Sequence, residues 1–74
     1  MLDVYQSLKD VLAKNEPAVM VTIVETRGSV PRKAGARMLV KQDGSTVGTV
    51  GGGSVEHAIK ARAMTIIREW WRSR

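Results

Sequence analysis

The sequence contains no cysteine and no phenylalanine, one histidine and two prolines. Without thiols there is no disulfide framework, no thiolate metal site and no cysteine nucleophile. A lone histidine, His57, argues against an all-protein zinc site. No apolar run reaches the roughly 18–20 residues of a membrane span. The N-terminus, MLDVYQSLKD, lacks the basic-then-apolar layout of a signal peptide, so a soluble cytoplasmic domain is expected. The aromatic residues are Tyr5, Trp70 and Trp71, and none falls among the clustered cations, so the stacking platform of a single-strand nucleic-acid binder is missing. A nucleic-acid partner is therefore the weaker reading of the positive charge.

What is present fits one small domain. The 74 residues are 43% hydrophobic and 26% charged, an ordinary globular balance. A chain this short buries only about 60% of the surface its unfolded form exposes. The net charge is +5, and Arg27, Arg32, Lys33, Arg37 and Lys41 account for it, because the other seven basic and seven acidic residues cancel. No acid lies between Glu25 and Asp43, so the excess is local and surrounds a segment punctuated by Gly28, Pro31 and Gly35. Such a field suits an anionic ligand, although a solvated basic loop has the same composition.

The spacing predicts a helix over residues 2–14. Leu2, Tyr5, Leu8 and Leu12 form its stripe, Val4 and Val11 widen it, and Asn15 and Pro17 stop it. Residues 18–24, AVMVTIV, read as a strand buried on both faces, because an apolar, β-branched run without alternation suits a central strand. A loop of about ten residues follows. Residues 36–41 predict a second strand, Asp43-Gly44 a hairpin turn, and residues 46–50 a third strand antiparallel to the second. A glycine loop then leads into a long helix, about residues 54–71, with Ser54 as its expected N-cap. Val55, Ile59, Ala63, Ile66 and Trp70 form one apolar stripe on it, and Met64, Ile67 and Trp71 a second. The expected class is α/β in the α+β sense: about three strands flanked by two helices, in the order α-β-β-β-α, as one domain over residues 1–74. Strand order is left open, since strand one can neighbour either of the others.

Two loops can carry chemistry. Gly51, Gly52, Gly53 and Ser54 place backbone N–H groups at a helix N-terminus, where anions bind, although a tight turn needs the same glycines. The pattern is neither a Walker loop nor a G-x-G-x-x-G fingerprint. Arg27, Gly28, Ser29, Arg32, Lys33 and Arg37 supply cations, a hinge and a hydroxyl suited to phosphate. If strands one and three are neighbours running the same way, both loops face one ligand. Glu56 reads either as an acceptor for a ligand N–H or as a dipole complement that anchors the loop. Neither a Ser/His/Asp arrangement nor a carboxylate pair is evident, so no catalytic residue is assigned and no enzyme activity is expected.

The stretch VTIVETRGSVPRKAGARMLV, followed by DGSTVGTVGGGSVEHA, resembles the N-terminal domain of the XdhC/CoxI family. The residues that carry the resemblance are Glu25, Thr26, Gly28, Ser29, Pro31, Gly35, Ala36, Met38, Asp43, Gly44, Gly48, Gly52, Gly53 and Glu56. It covers residues 18–60 closely and the flanking helices loosely. It implies a chaperone role in maturing molybdenum hydroxylases such as xanthine dehydrogenase, with molybdenum cofactor, as molybdopterin or its dinucleotide, bound as cargo. The implied partners are the hydroxylase apoenzyme and a Rossmann-domain subunit. A sulfurtransferase joins them, because Ser54 stands where some relatives carry cysteine. The alternative is a docking module. The Trp-bearing C-terminal helix could equally serve a homo-oligomer.

Overall fold

The computed structural model describes residues 4–24 and 35–74. Helix α1 (Val4–Ala13) leads into strand β1 (Ala18–Thr22). Strands β2 (Arg37–Lys41) and β3 (Thr46–Gly48) form a hairpin, and the long helix α2 (Gly53–Arg72) follows. The α+β order is the one expected. Leu2 and residues 25–34 lie outside the described residues.

The three strands form an antiparallel sheet in the order β1-β2-β3. Val21 and Gly48 both lie opposite Met38, while Val19 and Thr46 both lie opposite Val40. The hairpin turn is the predicted Asp43-Gly44. Gly44, at φ 88, donates its N–H to the Lys41 carbonyl at 3.0 Å, and Lys41 N–H donates to Ser45 O at 2.9 Å. Asp43 Oδ1 accepts from Ser45 N–H at 2.9 Å and from its hydroxyl at 2.6 Å. Both bonds favour the carboxylate form and hold the Asp43 pKa below its ordinary value.

Burial centres on β2, not on β1. Met38, Leu39 and Val40 are fully buried. The pleat sends Met38 and Val40 to one face and Leu39 to the other. Met38 and Val40 cluster with Val50 and Ala63, and Val19, Val21, Ile59 and Met64 pack around them. Helix α2 thus covers this face, touching β1 and β2, while α1 packs against β2 and β3. The expectation that residues 18–24 form a strand buried on both faces is overturned. Strand β1 is an edge strand, only half-buried, and Val24 beyond it is exposed. A continuous apolar run signals that both faces find cover, but it does not say which strand takes the middle.

The helix faces also shift. In α1 the buried positions are Val4, Ser7 and Val11, while Tyr5 and Leu12 of the predicted stripe are exposed. A small serine lets the helix approach the sheet more closely than a leucine would. In α2 the buried positions are Ala63 and Ile67, and Ile66, Trp70 and Trp71 are exposed. Each predicted stripe is buried at one position, Ala63 of the first and Ile67 of the second, and each ends on an exposed tryptophan. About 20 residues of helix span about 30 Å, more than a five-residue strand can cover.

Candidate functional site at one end of the sheet

β1 and β3 are not neighbours, because β2 lies between them. Both are antiparallel to β2, so they run the same way and their C-terminal ends share one end of the sheet. β1 there delivers the chain to the basic segment, and β3 delivers it to the glycine turn. Arg37 opens β2 at that same end, opposite Thr22. The two loops therefore start from one edge of the fold by a different topology from the one anticipated.

The turn after β3 is built on left-handed glycines: Gly48, Gly51, Gly52 and Gly53 have φ of 83, 130, 73 and 64. Gly48 is the most constrained. A Cβ there would overlap the Arg37 carbonyl oxygen and lie 2.7 Å from Val4 Cγ2. Only glycine permits both the conformation and the approach.

Glu56 organises this turn. Its Oε2 accepts from the Thr49 hydroxyl, from Val50 N–H at 3.0 Å and from Gly52 N–H at 2.8 Å. The Thr49 hydroxyl in turn accepts from Gly51 N–H at 3.1 Å. Such bonds favour the charged form, so the Glu56 pKa is held below its ordinary value, the Thr49 hydroxyl contributing most and the Gly52 N–H next. The expected Ser54 N-cap is a correction: Gly52 is the N-cap, with no side-chain capping bond, and Ser54 lies inside the helix. A carboxylate from the first turn reaches back to the N-cap N–H, which is half of a capping box, and no side chain takes the other half. Thr49 was not singled out from the sequence, and its only sequence signal is its place just before the glycines.

The first N–H groups of an α-helix have no partner within it. Here Gly52 N–H is taken by Glu56, and among the described residues no side chain caps those of Gly53, Ser54 and Val55 at the positive end of α2. Gly51, Gly52, Gly53, Ser54 and Glu56 thus come together in one turn. Arg37 does not join them through its side chain. Its guanidinium lies 5.3 Å from the centre of the Tyr5 ring and donates to the Gly35 carbonyl at 3.3 Å. Arg27, Gly28, Ser29, Arg32 and Lys33 lie outside the described residues. His57 is exposed in the first turn of α2. Among the described residues, no three His, Asp or Glu side chains gather as a metal site would require, and no helix is long and apolar enough to cross a membrane.

A small α+β domain with a glycine turn locked by a helix carboxylate is the class this geometry defines. Residues 11–71 match the XdhC and CoxI family, and the chain belongs to that family. It is 41% identical over 58 residues to the molybdenum cofactor insertion chaperone PaoD of Escherichia coli, covering 78% of this chain and 18% of that protein. It is 46% identical over 55 residues to a protein of Bacillus subtilis named as a probable xanthine dehydrogenase component, covering 74% of this chain and 17% of the relative. It is also 46% identical over 56 residues to the uncharacterized protein YqeB of Escherichia coli, covering 76% of this chain and 10% of the relative. The chain thus spans less than a fifth of the length of these curated relatives. No solved structure matches it.

Proposed function

We propose that this chain serves the maturation of molybdenum hydroxylases as a non-catalytic factor that holds molybdenum cofactor as cargo for a hydroxylase apoenzyme. The observation that carries the reading is the family match over residues 11–71, a stretch that contains both loops, together with the similarity to a protein named as a molybdenum cofactor insertion chaperone. The donor set is compatible with the cargo. Molybdopterin carries a phosphate, and the residues proposed to meet it are Arg27, Gly28, Ser29, Arg32, Lys33 and Arg37 with the turn residues Gly51, Gly52, Gly53 and Ser54. Cations and N–H groups are what a phosphate requires. Glu56 enters first as the residue that shapes the turn. Its Oε2 is engaged within the described residues, and Oε1 is the atom proposed to accept from a pterin N–H. With no thiol in the chain, any sulfur delivered to the cofactor comes from a separate sulfurtransferase.

A second reading, a docking module for a hydroxylase or a Rossmann-domain subunit, draws support from the exposure of Trp70 and Trp71. The two separate in one experiment: a Trp-fluorescence and calorimetric titration of the folded chain with freshly released molybdenum cofactor at physiological salt. Guanine nucleotide and an oligonucleotide serve as competitors. Saturable binding that neither competitor displaces is expected. Arg32→Ala should weaken it by about 1.5 kcal/mol or more, the worth of a hydrogen bond to a charged group. Arg37→Ala should cost less, since its guanidinium is already engaged with Tyr5 and Gly35. Absence of binding by the folded chain would reject the cargo reading for this chain and leave docking.

A further inference from the structure

The two edges of the sheet are unlike. The β3 edge is three residues long and ends in a left-handed glycine, Gly48. Short length and a distorted end are common ways to discourage pairing with another strand. The β1 edge has no such device. Residues 18–24, AVMVTIV, contain no charge, no proline and no glycine.

The ladder fixes which backbone groups of β1 face outward. Ile23 N–H donates to Ala36 O at 2.9 Å, so Ile23 and Ala36 form a hydrogen-bonded pair. Pairs of this kind alternate along an antiparallel ladder, so Val21 with Met38 and Val19 with Val40 are hydrogen-bonded too. The N–H and C=O groups of Ala18, Met20 and Thr22 therefore point away from β2, and no described residue meets them. These three positions are self-complementary. An antiparallel copy placed with Met20 opposite Met20 sets Ala18 opposite Thr22, and every outward group finds a partner. That arrangement is an isologous twofold contact.

We propose that the β1 edge is a pairing site for a second copy of this chain, joining two sheets into one continuous sheet through a twofold axis at Met20. Two five-residue strands alone fall short of the roughly 800 Å² per partner of a standard interface. The surface beside the strand supplies more apolar area. A groove of about 300 Å³ runs along Ala18 and Val19, walled by Leu8 and Leu12 from α1 and by Ile66 and Trp70 from α2. Leu12, Ile66 and Trp70 are 67%, 51% and 42% exposed, and a strand laid along β1 passes between them. Pairing also gives the outward N–H and C=O groups of Ala18, Met20 and Thr22 partners.

The test is the mass of the full chain by sedimentation equilibrium from about 1 µM to about 1 mM, with variants that block the edge alone. A proline at an outward position deletes an N–H that β2 does not use, so Met20→Pro and Thr22→Pro spare the internal ladder. The expected result is a concentration-dependent dimer for the native chain and a folded monomer, by circular dichroism, for each proline variant. Trp71→Ala, on the Gln42 side of α2, should leave the dimer intact. A native chain that stays monomeric overturns the proposal, as does a dimer lost in Trp71→Ala but kept in Met20→Pro. Where the proline variants fail to fold, amide exchange of the native chain decides. Met20 and Thr22 N–H groups should be protected at high concentration and lose that protection on dilution, and protection unchanged by dilution would overturn the proposal.

Discussion

The two ends of α2 solve opposite problems. At its N-terminus the chain spends a carboxylate, a hydroxyl and three backbone N–H groups on fixing one turn. At the C-terminal end of its 20 residues it leaves two tryptophans about half exposed. Trp70 and Trp71 meet edge to face, with ring centres 4.9 Å apart, and the Arg74 guanidinium lies 4.8 and 5.3 Å from them. The turn is specified by polar bonds that need one geometry. The tryptophan end is a set of apolar and cationic surfaces that satisfy one another without being covered. Aromatic and arginine side chains of this kind are the ones that carry binding energy when a partner arrives. The first end therefore reads as already in its working shape, and the second as a surface awaiting an occupant.

The largest effect that would break this contrast lies at the turn. Gly48→Ala places a methyl against the Arg37 carbonyl and Val4, in a left-handed conformation. Strain and overpacking together should cost about 3 kcal/mol, much of what a domain of this size holds. Urea unfolding measures it, and a loss below about 1 kcal/mol would show that the turn is not rigid. Next is a matched pair in the C-terminal half of α2. Ile67 is 4% exposed and Ile66 is 51% exposed. Ile67→Ala should cost about 2–4 kcal/mol, and Ile66→Ala under about 1 kcal/mol in the monomer. Equal losses would mean that the outer stripe is covered after all.

A smaller effect concerns pH. Glu56 is held below its ordinary value of 4.5 in the folded state. A lowered folded pKa means that the unfolded chain binds the proton first. The stabilisation is thus complete above about pH 4.5 and is lost as pH falls through the lowered value. Glu56→Gln should lower Tm at pH 7 and flatten the acid limb of the stability curve. Two parallel acid limbs, native and variant, would show that the carboxylate charge plays no part in the turn.

How much of this the sequence announced depends on whether the signal was local. The Asp43-Gly44 hairpin and the helix-entry carboxylate were legible, because each is a short-range contact between residues of distinctive type. Glu56 was read with two roles open, and the hydrogen bonds show the anchoring one. Ser54 carries the hydroxyl usual in a cap but stands beside three glycines, and the chain enters the helix at Gly52 instead. The β1 position, the Ser7 face of α1 and the line between the two stripes of α2 that faces inward are not legible. Each is decided by what the rest of the chain packs against. Sequence periodicity ranks surfaces by hydrophobicity, and the α1 face that packs includes a serine.

The smallest predicted effect is also the sharpest probe of the tryptophan end. Trp71 Nε1–H donates to Gln42 Oε1 at 3.2 Å, tying the last turns of α2 to the turn between β2 and β3. Both groups are reachable by water, so losing the bond lets Gln42 hydrate instead. Trp71→Phe keeps an aromatic ring beside Trp70 and removes the donor together with the five-membered part of the indole. The part of its cost that belongs to the bond should be about 0.5 kcal/mol, near the low end for a hydrogen bond. Denaturant midpoints of Trp71→Phe and Gln42→Ala, with the double variant, isolate the pair. A coupling near zero would leave the end of α2 held by the packing of Ile67 alone, and both tryptophans as surface. A coupling above about 1 kcal/mol would mean that this end, like the turn, is fixed by a polar bond, and the contrast between the two ends of the helix would fail.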